Sequence, residues 1–188
     1  VRTARRCSSD LSLFFLMIRR PPRSTPLSLH DALPIYGQTI SQPYIVAFMT
    51  EVLKVKPHHA VLEIGTGCGY QAAILSLLVK NVISLEIVKA LADSTKKRLK
   101  KLNYQNIEVF CSSGKKGWVK DAPYDRIITT AAPTRVPAAL IEQLEFNGRM
   151  VIPVGPDVNY QYLQIITKNK RGIIRTKQSL PVRFVPMV

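Results

Sequence analysis

Three glycines at alternate positions, Gly65, Gly67 and Gly69, separate the apolar run Ala60-Val61-Leu62-Glu63-Ile64 from a second apolar stretch that begins at Tyr70. Glycine at such a junction allows a sharp exit from a strand, a close backbone approach to a ligand, and tight packing of the next helix. The first role falls to Gly65, the second to Gly67, and the third to Gly69, which would admit the helix close to the sheet. A dinucleotide fingerprint would place glycine at position 70, where the chain has Tyr70, and no Gly-Lys-Ser/Thr ending marks a P-loop. With no pyrophosphate to cradle, the loop faces a nucleoside. Glu86 follows Gly65 by 21 residues, at the end of the next strand-like run. A carboxylate there accepts hydrogen bonds from both ribose hydroxyls, or else caps the helix that follows. Glu63 is either a ligand group or a strand-end acid satisfied by nearby backbone.

Ser41 stands just before Gln42-Pro43 and a run with helical spacing. Its hydroxyl either caps that helix or orients an anionic acceptor, which backbone N–H groups at a helix start also favour. Candidate bases are few. His30 lies in an unpatterned N-terminal tract, and His58-His59 fall in the turn before the first strand, away from the glycine loop, where solvent exposure is expected. Acceptors that must lose a proton are therefore poorly served, whereas a carboxylate with a pKa near ~4 is already a nucleophile at neutral pH. Three cysteines, Cys7, Cys68 and Cys111, support neither a disulfide framework nor a zinc site, so no metal is expected. Cys68 reads as a small loop residue rather than a reactive thiol.

Lys and Arg number 27 against 12 Asp and Glu, a formal charge of +15. The densest run, Lys96 to Lys101, reads as the solvated face of a helix, and no interleaving of aromatic with basic residues supports nucleic-acid binding. The longest strongly apolar stretch, Leu11 to Ile18, is 8 residues, far short of the ~20 that cross a bilayer.

Strand and helix must alternate to position these groups. Ser41 to Val55 predicts a helix with Ser41 as N-cap, Ala60 to Ile64 a buried strand, and Tyr70 to Val79 a helix. Val82 to Leu85 is a second strand, followed by a helix over Val88 to Leu102 with Val88, Leu91, Ala92, Thr95, Leu99 and Leu102 on its inner stripe. Further strands are expected at Ile107 to Cys111, Tyr124 to Ala131 and, after the turn Asn147-Gly148, Arg149 to Val154, with a helix over Pro137 to Leu144. Tyr162 to Thr167 and Ile173 to Val185 form a β-rich hairpin around Lys170-Arg171-Gly172. The fold class is α/β, a doubly wound, mostly parallel sheet that binds ligands beyond the carboxyl ends of its strands.

Residues 1–36 mix arginine, serine and proline around one apolar octet with no sustained period. A secretory signal is excluded by Arg19-Arg20-Pro21-Pro22 after the octet. The tract resembles translated sequencing-adapter read-through, which makes 1–36 a non-native, disordered tail and 37–188 the domain.

Four stretches resemble the protein-L-isoaspartate O-methyltransferases, within the S-adenosylmethionine-dependent methyltransferases: Gly37 to Tyr44 (GQTISQPY), Val61 to Tyr70, Tyr124 to Pro133 (YDRIITTAAP) and Leu180 to Val188 (LPVRFVPMV). The resemblance implies a Rossmann-like fold, S-adenosyl-L-methionine as cofactor, a cytoplasmic location, and isoaspartyl-containing proteins and peptides as substrate. It makes Ser41 the active-site serine, places Thr39 and Ile40 at the methionine end of the cofactor, and has Gly65, Gly67 and Glu86 hold the nucleoside; Glu63 and Gly69 are further cofactor-site candidates from their own positions at the strand end and in the loop. The chain departs from the family at Ser112-Ser113-Gly114, where Ser113 and Gly114 replace a Gly-Asp-Gly stretch, so Ser113 takes the place of the acid beside the adenine amine. The family's N-terminal helical segment is replaced by the adapter-like tract. The expected reaction is esterification of the free α-carboxylate of L-isoaspartyl residues. Methylation of a small molecule or nucleic acid, or a non-catalytic cofactor-binding remnant, are the alternatives.

Overall fold

A computed structural model describes residues 41–188. The expectations for the 1–36 tract and for Thr39 and Ile40 lie outside the described residues. The elements run α1 (Pro43–Leu53), β1 (Ala60–Ile64), α2 (Tyr70–Ser76), β2 (Asn81–Glu86), α3 (Lys89–Lys101), β3 (Ile107–Cys111), β4 (Tyr124–Thr129), α4 (Ala138–Glu142), β5 (Leu144–Val154), β6 (Gln161–Lys168) and β7 (Ile174–Val182). The strands form one sheet in the order β3-β2-β1-β4-β5-β6-β7. β1 to β5 pair in parallel, whereas β6 and β7 are antiparallel additions on one side. The chain moves outward from β1 to β3 and then crosses back to place β4 on the other side of β1. That reversal opens a crevice at the carboxyl ends of β1 and β4.

Alternation along each strand divides the core between two faces. Val61 and Ile128 pack with Met49 and Leu53 of α1 and Ala72 and Leu75 of α2. Leu62, Ile64 and Ile127 face the other way, against Leu140 of α4, Met150 and Ile152. At the far end of α1, Arg149 Nη1 donates to the Val52 carbonyl and Arg126 Nε to the Lys54 carbonyl, each at 3.1 Å. These bonds satisfy carbonyls that a helix C-terminus leaves without intrahelical partners.

Five local expectations are corrected. The helix after Ser41 is capped by Gln42, with Pro43 in the first turn, so Ser41 stands one residue outside it. α2 ends at Ser76, because Leu78 and Val79 turn back to bond the Leu75 carbonyl. Leu102 is 61% exposed, since the inner stripe of α3 ends with Leu99. Asn147-Gly148 is not a turn before β5 but a bulge within it: Tyr124 pairs with Leu144 and Arg126 with Arg149, so β5 carries extra residues over the same span. His59 is 4% exposed rather than a solvated turn residue. Its Nδ1 accepts the Lys56 N–H at 2.9 Å, which folds the ring back into its own turn.

Candidate functional site

The glycine loop leaves β1 while still held by the sheet. Gly65 N–H and Thr66 N–H both donate to the Leu85 carbonyl, at 2.8 and 3.1 Å, and Thr130 Oγ1 donates to the Gly65 carbonyl at 2.6 Å. A Cβ at position 65 would collide with that Thr130 hydroxyl, so glycine is required by the neighbouring strand end. At Gly67 a Cβ would meet nothing within 4 Å; the loop is open there, as expected of a backbone that a ligand approaches. Gly69 differs from expectation in its partner. Its Cβ would lie 2.7 Å from Thr95 Cγ2 and 3.4 Å from both methyls of Leu99, so it admits α3 rather than bringing its own helix to the sheet.

An open cleft lies beyond the strand ends, about 860 Å³ when the open solvent at its mouth is counted. Ser41, Gly65, Gly67, Glu86 and Gly114 line it together with Cys68. Glu63, Gly69 and Ser113 do not. Glu86 is 6% exposed and has two backbone partners: Oε2 accepts the Gly67 N–H at 2.9 Å and Oε1 the Val88 N–H at 3.0 Å. It therefore anchors the loop and the entry to α3, and each oxygen keeps a second lone pair for a ligand hydroxyl.

Glu63 is wholly buried on the α1/α2 face of β1. Ser84 donates to its Oε2, and Thr66 Oγ1 lies 2.6 Å from Ser84 Oγ, so the carboxyl reaches the cleft only through two hydroxyls. Its Oε1 has no partner among the described residues. Burial pushes the carboxyl up to about 8, opposed by the Ser84 bond and reinforced by the charge on Glu86. Ser113 Oγ is 3.5 Å from the Val188 carbonyl, and its neighbours Ser112 and Gly114 line the cleft instead. A Cβ at Gly114 would strike Ile64, so this loop lies directly on the end of β1.

Several wall residues take no individual role from the sequence, although most lie in the stretches that carry the family resemblance. Thr66, Gln71, Thr130 and Ala131 come from both sides of the switch point. Val185 to Val188 form another wall, fixed by Ala132 N–H to the Val185 carbonyl at 2.8 Å and Met187 N–H to the Ala132 carbonyl at 2.9 Å. Among the described residues no cluster of three His, Cys, Asp or Glu could hold a metal ion, and no helix is long and apolar enough to cross a membrane.

The cleft suits an adenosyl cofactor by its own chemistry: an open glycine, a carboxylate with free lone pairs, and the apolar sides of Leu85 and Ile87 beside it. Comparisons with known proteins agree. The chain is 51% identical over 156 residues to protein-L-isoaspartate O-methyltransferase 2 of a Polaromonas species, covering 82% of this chain and 74% of that one. It is 53% identical over 156 residues to protein-L-isoaspartate O-methyltransferase 2 of Syntrophobacter fumaroxidans, covering 82% of this chain but only 63% of that relative. A Plasmodium falciparum structure bearing the protein-L-isoaspartate O-methyltransferase name, solved with S-adenosyl-L-homocysteine, superposes with a TM-score of 0.68 at 26% identity, covering 84% of this chain and 79% of that one. The profile of one family matches residues 23–188, and with these relatives it places the chain in the protein-L-isoaspartate(D-aspartate) O-methyltransferase family.

Proposed function

We infer that this protein uses S-adenosyl-L-methionine to methylate the free α-carboxylate of L-isoaspartyl residues in damaged proteins, an ester from which cyclisation to succinimide begins repair. The observation that carries this reading is the family membership together with a cleft at the switch point that gathers Ser41, Gly67 and Glu86. When bound, the cofactor supplies a methyl carbon on a positively charged sulfur. A carboxylate oxygen forms the new bond to that carbon while the carbon–sulfur bond breaks and its electron pair stays on sulfur. No proton moves, so no general base is required of the chain.

The chain's task is alignment and exclusion of water. Gly65 and Gly67 bring backbone to the nucleoside, Glu86 accepts from the ribose hydroxyls, and Ser41, at the rim before α1, donates its hydroxyl hydrogen to the acceptor carboxylate. Thr39 and Ile40 belong to the same proposal, at the methionine end. The cytoplasm is the proposed compartment, and it suits the free thiols of Cys68 and Cys111. The deciding experiment supplies labelled cofactor with an isoaspartyl peptide and its normal aspartyl twin. Label entering the isoaspartyl peptide alone supports the reading, and equal labelling of both sinks it.

A further inference from the structure

Packing does not hold the glycine loop at its most open point. Gly67 has φ +52, and a Cβ there would find no neighbour within 4 Å, so hydrogen bonds must fix the peptide's direction. On the amide side, Gly67 N–H donates to Glu86 at 2.9 Å. On the carbonyl side, Thr95 Oγ1 of α3 donates to the Gly67 carbonyl at 2.7 Å, and one turn along, Arg98 Nη1 donates to the Cys68 carbonyl at 2.9 Å. The Arg98 bond is exposed to competing water. Thr95 itself is wholly buried and its bond is part-buried, so water competes for it less than for the Arg98 bond. A threonine inside a helix ordinarily returns its hydroxyl to the carbonyl four residues earlier; here it is spent on a loop 28 residues away in sequence.

We propose that Thr95 is a positioning residue for cofactor binding, acting through Gly67. In a trans peptide the carbonyl and the next N–H point in opposite directions. Anchoring the Gly67 carbonyl on α3 therefore turns the Cys68 N–H away from α3, towards the cleft that Gly67 and Cys68 both line. The methyl group of the same side chain, 2.7 Å from the position of a Cβ on Gly69, sets how closely α3 approaches the loop. The hydroxyl thus orients the loop, while the methyl occupies the space where a side chain on Gly69 would stand. The proposal rests on the reading of the cleft as the S-adenosyl-L-methionine site.

Two substitutions separate the hydroxyl from the methyl: Thr95→Val keeps the shape and loses the donor, and Thr95→Ser keeps the donor and loses the methyl. Calorimetry with S-adenosyl-L-homocysteine is expected to show a Kd about fivefold higher for Thr95→Val, the order expected for one hydrogen bond, and within twofold of wild type for Thr95→Ser. KM for the cofactor should rise by the same factor while kcat and KM for the peptide hold. Hydrogen exchange in the unliganded protein should quicken over residues 65–69 in Thr95→Val alone. Unchanged affinity in Thr95→Val, or equal losses in both variants, overturns the proposal. Should Thr95→Val fail to fold, Thr95→Ala replaces it, and a Thr95→Ser protein as weak as Thr95→Ala overturns the proposal equally. A wild-type protein that binds no S-adenosyl-L-homocysteine instead sinks the reading of the cleft, and this proposal with it.

Discussion

Glu63 and Ser84 stand in register on adjacent parallel strands, and Ser84 gives its hydroxyl hydrogen to the buried carboxyl. The ordinary value for that carboxyl is 4.5, and burial raises it to about 8. Between these values the folded protein holds a proton that the unfolded chain has released. The stability it contributes is therefore full below 4.5, falls as pH rises, and is gone above about 8. Glu63→Gln cannot ionise and should remove this slope. Urea midpoints across the interval are expected to show the variant gaining on wild type as pH rises; parallel curves would mean that Glu63 titrates normally.

His59 has the opposite sign. Burial, then the nearby Arg126 guanidinium, lowers it from 6.5 to about 4. Its contribution is present above 6.5 and is lost as pH falls through about 4, when the ring takes up a proton and its Nδ1 can no longer accept the Lys56 N–H. His59→Gln, whose amide oxygen can still accept, should flatten the acid limb of the stability profile. A thermal-melt series in acid compares the two proteins.

Glu86→Gln replaces one of two backbone acceptors with an amide donor. Either Gly67 N–H or Val88 N–H then loses its partner. Cofactor affinity should fall by roughly 1.5 to 3 kcal/mol, the range for hydrogen bonds to charged groups, with some loss of unliganded stability as α3 loses its entry bond. Titration with S-adenosyl-L-homocysteine measures the first and a melt the second.

Ser41→Ala tests the acceptor side of the cleft. KM for the isoaspartyl peptide should rise, or kcat fall, by about tenfold, corresponding to one charge-assisted hydrogen bond. The Kd for S-adenosyl-L-homocysteine should stay within twofold. A cofactor affinity that falls in step with turnover would move Ser41 from the acceptor to the cofactor.

Ser113→Asp tests the adenine wall. With its hydroxyl directed to the Val188 carbonyl and Ser112 lining the cleft in its place, the substitution should leave cofactor affinity within twofold. Tighter binding that disappears for an analogue with oxygen in place of the 6-amino group would return position 113 to the adenine.

Short strands rich in apolar residues between turn residues were legible in the sequence: Ala60–Ile64 and Ile107–Cys111 occupy the expected spans. So was the loop, because glycine at alternate positions has few other uses after a buried strand. What escaped depends on contacts between segments distant in sequence. His59 looks like a solvated turn residue until its ring, buried, takes up the Lys56 N–H. Asn147-Gly148 looks like the turn between a helix and the next strand until β4 supplies a partner on both sides of it. Residues 185–188 form a wall only because they return to Ala132. Thr95 looked like one more member of an apolar stripe, and only the loop opposite it reveals a donor.

The antiparallel strand β7 stands at one end of the sheet order, and Arg175 and Lys177 are exposed along it. A strand in that position offers unpaired backbone to any second sheet that draws alongside. Two copies of this protein meeting edge to edge would bring these cations against one another, a repulsion that salt weakens. Edge-to-edge association is thereby opposed along β7, and replacing both side chains with neutral ones should raise light scattering in concentrated solution most clearly at low ionic strength.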